Sequence, residues 1–484
     1  MTKIGVAISG GGYRASAWGL GVLWYLADTG RNADVSMVSS VSGGSLTNAH
    51  AGWLPAPYTA ISPPDYDAAA RAYGKRLAGR TGVWAPMLAL TGLAALAAYV
   101  AIVQGWVVVL LGAVVVGVAA GIFGALRCGD LLFNRWLVWL YLDGLAALVG
   151  LGVRWRHHGW CVAVVVVAAG VYLMLRGPVA GICMGASLKQ LLDRTDTTLG
   201  GLNATPLHVI LSTELHAGRQ MAFAKDFVYN YDAGLGAKRS LPVRTAVQAS
   251  SNLPGAFPTR WVSTSGMNLA GGTATKFLAL TDGGVYDNMG DEWFTGFAQR
   301  MTSWAKTAGT GPMKPVVDDV ASRAPDFVVV ANASGRMGWR KVTLGAVPLL
   351  GELVGLFQVK DVLYTVGTTV RRQWDVARFD AGDPDGTLVH IATNPYAWPS
   401  LLLSKGTPEQ KARAGEAVAW LDSLGVTRDG WQQRMDAAKS VGTQLWPLGD
   451  AALRTVVNAA YVQLAVNMHV RLGTPFHAPP YPLG

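Results

Sequence analysis

Ser39-Ser40-Val41-Ser42-Gly43-Gly44-Ser45 decides how the rest of the chain is read. The residues just before it, Asp34-Val35-Ser36-Met37-Val38, read as a short buried strand, and residues 46–53 read as the continuation of a helix. Between them lies a sharp turn of small residues with the Ser42 hydroxyl at its apex. Larger side chains would collide with so tight a backbone. The pattern approximates G-x-S-x-G, with Ser40 in the place of the first glycine and Gly44 in the last. On this reading Ser42 is the candidate nucleophile. The bland alternative is a Ser/Gly-rich strand-to-helix turn without chemistry.

A second stretch lies upstream. Ile4-Gly5-Val6-Ala7-Ile8 reads as a strand, and Ser9-Gly10-Gly11-Gly12-Tyr13-Arg14 as a glycine loop opening a helix through Tyr25. Consecutive glycines expose backbone N–H groups. The positive end of the following helix then favours negative charge beside Gly10, Gly11 and Gly12, as an oxyanion site requires. Gly10, Gly12 and Ala15 also satisfy G-x-G-x-x-A, but the acidic residue closing a second strand about 20 residues on, which a dinucleotide site needs, is absent. The third stretch is Leu278-Ala279-Leu280-Thr281-Asp282-Gly283-Gly284, an apolar strand ending in an aspartate and two glycines.

Together these stretches resemble the patatin-like phospholipase family, in its bacterial form with a hydrophobic insertion. That family joins a glycine-rich oxyanion loop, a G-x-S-x-G serine and a D-G-G/A aspartate, with no catalytic histidine. The resemblance assigns the loop to Gly10, Gly11 and Gly12, the nucleophile to Ser42 and the base to Asp282. The strand over 207–215 and the segment Ala249-Ser250-Ser251-Asn252-Leu253-Pro254-Gly255-Ala256-Phe257-Pro258 fit the same family. The resemblance covers residues 1–57 and about 200–335. It implies a three-layer α/β/α sandwich and a serine lipid acyl hydrolase of phospholipase A or lysophospholipase type, with an acyl lipid as substrate and no cofactor or metal. Arg14, beside the loop, is a candidate head-group contact, with a structural ion pair as the alternative. Acyl transfer by the same dyad and a non-catalytic scaffold of the same fold are the rival functions. A Ser-His-Asp triad finds no distinctively placed histidine: His50, His208 and His390 sit in regular elements, and His157 and His158 lie in the insert.

Composition points to lipid. Of the 484 residues 51% are hydrophobic and 14% charged, against about 25% charged in an ordinary soluble domain. The formal net charge of +10 is dispersed and forms no basic stripe, so no nucleic-acid partner is expected. Cys128, Cys161 and Cys183 form no C-x-x-C pair and read as buried thiols.

Residues 84–103 and 106–126 carry no charge and are each long enough to cross a bilayer. Runs over 131–153 and 160–175 are weaker. Ser42 and Asp282 must share a compartment to share a site, so an even number of spans, two or four, separates them. Lys75, Arg76, Arg80, Arg127 and Arg176 orient the catalytic side to the cytoplasm. The expectation is therefore a multi-pass membrane protein of the bacterial inner (plasma) membrane with its catalytic domain cytoplasmic and no preceding secretory signal. Its parts would be residues 1–80 and 179–400 as a split catalytic domain, 81–178 as a transmembrane insert and 401–484 as a C-terminal helical region.

Overall fold

In a computed structural model of the chain, residues 2–79, 197–335 without 255, 256 and 258, 350–382, and 385–483 without 444 and 446 are described, with 188, 190 and 191. Five apolar strands build the parallel heart of the sheet: β1 (Ile4–Ile8), β2 (Val35–Val41), β3 (Leu207–Glu214), β9 (Phe327–Asn332) and β10 (Asp385–His390). Their spatial order is β10-β9-β1-β2-β3. Beyond β3 the sheet turns antiparallel through β4 (Arg219–Phe223), β5 (Val228–Asn230) and β6 (Gly234–Gly236). A further pair, β7 (Arg260–Ser263) and β8 (Phe277–Thr281), joins through β8, which runs antiparallel to β3. The fold is thus α/β with a mixed central sheet.

Both faces of the sheet are covered, which explains why its parallel strands are near-continuous apolar runs rather than alternating ones. Ile4, Val6 and Ile8 of β1 enter one core with α1 (Gly12–Asp28) and the C-terminal helix α12 (Asp450–Leu472). Ala7 joins Val328, Val330, Met37 and Val41 in a second core on the other face. There Trp293 and Phe294 of α5 (Glu292–Thr295), Trp304 of α6 (Phe297–Ala308) and Val317 and Val320 of α7 (Lys314–Ser322) close the layer. This arrangement is compatible with a three-layer sandwich. The segment after 400 packs into the first core: a Cβ on Gly21 of α1 would lie 2.4 Å from the Val457 carbonyl oxygen of α12, so the two backbones nearly touch.

The remaining helices are α2 (Gly43–Gly52), α3 (Pro63–Gly79), α4 (Val243–Ser250), α8 (Leu350–Ala381), α9 (Ala397–Lys405), α10 (Pro408–Ser423) and α11 (Arg428–Ser440). The strand expected before the serine continues three residues further than its sequence pattern reached, to Val41.

The expected placement as a multi-pass membrane protein needs correction. Among the described residues no helix is long and apolar enough to cross a membrane. The two longest, α8 with 32 residues and α12 with 23, are interrupted by charge: Lys360, Asp361, Arg371, Arg372 and Asp375 in one, Arg454 and Arg471 in the other. The four apolar runs on which the expectation rested, with Cys128, Cys161, Cys183, His157 and His158, lie outside the described residues.

Candidate active site

Strand register sets the site. Val41 of β2 pairs with Leu211 of β3, and Thr281 of β8 pairs with Thr213. Strand β4 occupies the opposite edge of β3 over the same residues. So β2, running up, and β8, running down, meet end to end along one edge of β3. Ser212 alone separates their last paired positions, and Ser42 and Asp282 are the residues that leave the two strands there. Sequence spacing could not bring these distant residues together; a parallel and an antiparallel neighbour on one strand edge does.

Ser42 sits at φ 51°, ψ −123°, a backbone conformation rarely adopted outside glycine, at the entrance of α2. Such strain persists only where surroundings over-determine it. Here the Ser42 N–H donates to Ser250 Oγ at 2.9 Å, and Ser250 Oγ in turn donates to the Leu211 carbonyl at 2.5 Å. Ser45 Oγ lies 2.9 Å from Ser250 Oγ and 3.1 Å from Ser40 Oγ. The Ser40 hydroxyl is absorbed below the turn, accepting from Asn48 Nδ2 at 2.8 Å.

The glycine loop lies directly on this turn. A Cβ on Gly43 would fall 1.9 Å from the Gly12 carbonyl oxygen, and one on Gly10 would fall 3.2 Å from Ser42 Cβ. Gly11 and Gly12 have φ of 139° and 59°, as a loop folding back over a helix start demands. The loop is pinned by Ser9 N–H to the Ala331 carbonyl at 3.0 Å and by Gly10 N–H to the Asn288 carbonyl at 2.8 Å. The Gly10 amide is therefore occupied. Helix α1 starts at Gly12, and its first-turn N–H groups lack intrahelical acceptors.

Asp282 is buried, with 1% exposure. Its N–H donates to the Asn252 carbonyl at 3.1 Å, and its Oδ1 accepts from Gly284 N–H at 2.8 Å. Thr213 Oγ1 donates to its carbonyl oxygen at 2.9 Å. Asn288 lies between the two halves of the site. Its Oδ1 would be 2.3 Å from a Cβ on Gly10 and 2.5 Å from one on Gly284, while its Nδ2 donates to Ser334 Oγ at 2.8 Å.

Arg14 is not turned outward. It is buried, and its Nη1 donates to the carbonyls of Lys439 and Val441 at 2.9 and 2.8 Å. Burial lowers its pKa to about 10. Through these backbone carbonyls, rather than through an ion pair, it clamps the end of α11 beside the glycine loop.

Neither histidine packed on the elbow helix is placed as a base. His50 is half-buried, stacks on Tyr73 with ring centroids 4.2 Å apart, and is pushed down to about pKa 3 by desolvation of its ring. His208 is likewise lowered to about 3 by burial, and its Nδ1 pairs with Asn48 Oδ1 at 2.7 Å.

Four contributors have no motif of their own. Ser250 lies inside the quoted 249–258 segment, where only the structure gives it a task. Asn288 follows the aspartate turn closely enough to have invited attention. Tyr364 and Arg371 on α8 carry no sequence signal at all. The Tyr364 ring stands over Gly284, Cε1 lying 2.7 Å from where a Cβ would be, and burial together with the Asp282 carboxylate raises its phenol pKa. Arg371 Nε is 3.6 Å from Asp287 Oδ1 and its Nη1 3.6 Å from Asp291 Oδ2, tying α8 to the aspartate turn. Asp375, next to this pair, is raised to about pKa 7 by burial and by the nearby Asp287 charge.

Among the described residues no group of three or more His, Cys, Asp or Glu side chains could hold a metal ion. No protein-family model and no curated protein matches the chain.

Proposed function

We propose that the protein is a serine acyl-ester hydrolase working through a Ser42–Asp282 dyad, with a patatin-like three-layer fold and acyl lipids as the substrate class. The observation that carries the reading is the meeting of β2 and β8 on one edge of β3, with a strained serine leaving one strand and a buried aspartate leaving the other. A serine hydroxyl is a weak nucleophile unless a neighbour removes its proton during attack. Asp282 takes that proton as Ser42 Oγ bonds to the ester carbonyl carbon. The N–H groups of Gly11 and Gly12, at the helix start, stabilise the oxyanion. The proton then passes to the departing alcohol as the C–O bond breaks, and water releases the acid from the acyl-enzyme by the same route. The lipid character of the acyl group rests on the motif resemblance. The occupied, low-pKa histidines near the elbow weigh against a triad.

A serine-reactive fluorophosphonate should label the wild-type protein and leave Ser42→Ala unlabelled, and Asp282→Asn should hydrolyse p-nitrophenyl acyl esters at least 1,000-fold more slowly, about 4 kcal/mol in barrier. Undiminished labelling of a folded Ser42→Ala protein would reject the nucleophile. Retained labelling of Ser42 with transfer of acyl groups to an added alcohol in preference to water would convert the reading to an acyltransferase.

A further inference from the structure

A two-residue catalytic unit lacks the third group that orients the base in a triad, and the base must be held within hydrogen-bonding reach of its serine. At Asp282 one side of the carboxylate is fixed: Oδ1 accepts from Gly284 N–H at 2.8 Å. The position a Cβ would take on Gly284 is 2.9 Å from that oxygen and 2.7 Å from Tyr364 Cε1, so the tyrosine ring lies against the carboxylate with only a bare glycine between. Tyr364 Oη is buried and makes no hydrogen bond among the described residues, while burial and the Asp282 carboxylate nearby raise the phenol pKa.

Helix α8 is mounted in an unusual sense. Its polar residues Tyr364, Arg371 and Asp375 face the protein, while Val359, Leu363, Val366 and Trp374 are exposed. Arg371 bridges Asp287 and Asp291 and lies over the Tyr286 ring at 6.0 Å. These are the residues that follow the catalytic aspartate in the chain. The helix is therefore fastened to the aspartate turn by ionic contacts two turns from the phenol it presents.

The geometry points to Tyr364 as a positioning residue for Asp282, held in place through Arg371, that completes the Ser42–Asp282 pair as a three-membered unit. This rests on the dyad reading. Tyr364 contributes its O–H as a donor to the carboxylate, keeping it ionised and turned to Ser42. The phenol's raised pKa keeps the proton on Tyr364, so the proton that moves is the Ser42 proton: it goes to Asp282 on attack and from Asp282 to the leaving alcohol.

The test is a kinetic comparison of purified wild type, Tyr364→Phe, Arg371→Gln, the double variant and Asp282→Asn on a soluble p-nitrophenyl ester. Phenylalanine keeps the ring over Gly284 and removes only the donor. Expected are a kcat about 10- to 100-fold lower, the range for losing a hydrogen bond to a charged group, with KM within twofold. The acidic limb of the pH–rate profile should move to higher pH, because the carboxylate loses a group that favours its charged form. Arg371→Gln should lower kcat alone and add little in the Tyr364→Phe background, the signature of one coupled unit. Wild-type kcat and an unmoved limb in Tyr364→Phe, with Asp282→Asn inactive, would overturn the inference and leave the dyad standing. An active Asp282→Asn would remove both. If Tyr364→Phe does not fold, the limb in Arg371→Gln decides: no shift refutes the proposal.

Discussion

Replacing Gly43 by alanine tests whether catalysis depends on contact between the elbow and the glycine loop. The added Cβ would lie 1.9 Å from the Gly12 carbonyl oxygen and 2.7 Å from its nitrogen, both backbone atoms that cannot rotate away. Real Cβ contacts essentially never fall below 3.0 Å, so turn and loop must separate by about 1 Å. That distance is enough to cost about 100-fold in rate when it displaces a reacting group, or roughly 2.7 kcal/mol of barrier. Overpacking adds a stability loss of about 1–3 kcal/mol. The assay is p-nitrophenyl ester turnover and the second-order rate of fluorophosphonate labelling, each beside a thermal melt. Gly415→Ala is the control: nothing lies within 4 Å of its Cβ on α10, so it should leave turnover unchanged and raise stability by about 0.5–1 kcal/mol. A folded Gly43→Ala protein with wild-type turnover and labelling would refute the reasoning.

Ser42→Gly should be more stable than Ser42→Ala by about 1 kcal/mol in denaturant melts, since glycine relieves φ 51° and alanine keeps the strain; equal midpoints would show the turn to be unstrained. Arg14→Met should destabilise the fold by roughly 2–4 kcal/mol, because two buried carbonyls lose a charged donor, with kcat retained; a raised KM for charged lipids over neutral esters would instead restore a head-group role. Asp375, raised to about 7 from an ordinary 3.8, binds its proton more tightly in the folded state. Its carboxyl thus favours the fold fully below about pH 4, and that contribution is lost as pH rises through 7. Asp375→Asn should accordingly raise Tm at pH 8 relative to wild type and lose that advantage toward pH 4; a constant difference across this range would exclude the titration.

Sequence by itself determined the local pieces: apolar runs long enough only for strands, small residues where the chain turns sharply, and helix starts directly after glycine. Those are short-range properties, legible because side-chain volume and backbone freedom act within a few residues. The elbow at Ser42, the loop at Gly10 to Gly12 and the aspartate at Asp282 were readable for that reason, as was an α/β class. The pattern could not show that β8 runs down the same edge of β3 that β2 leaves, since register depends on pairing between distant strands. Nor could it assign Arg14, whose partners are carbonyls of Lys439 and Val441, or the absorption of Ser40 by Asn48. Helix α8 was hidden for a different reason: its polar face is the one turned inward, so hydropathy points away from the contacts that Tyr364 and Arg371 make. The apolar runs of 84–126 suggested a membrane from composition alone, while the described helices long enough to span one are divided by charge. What tertiary structure alone decided is which separated groups share a few ångströms, because a folded sheet fixes distances that the linear spacing of the chain does not constrain.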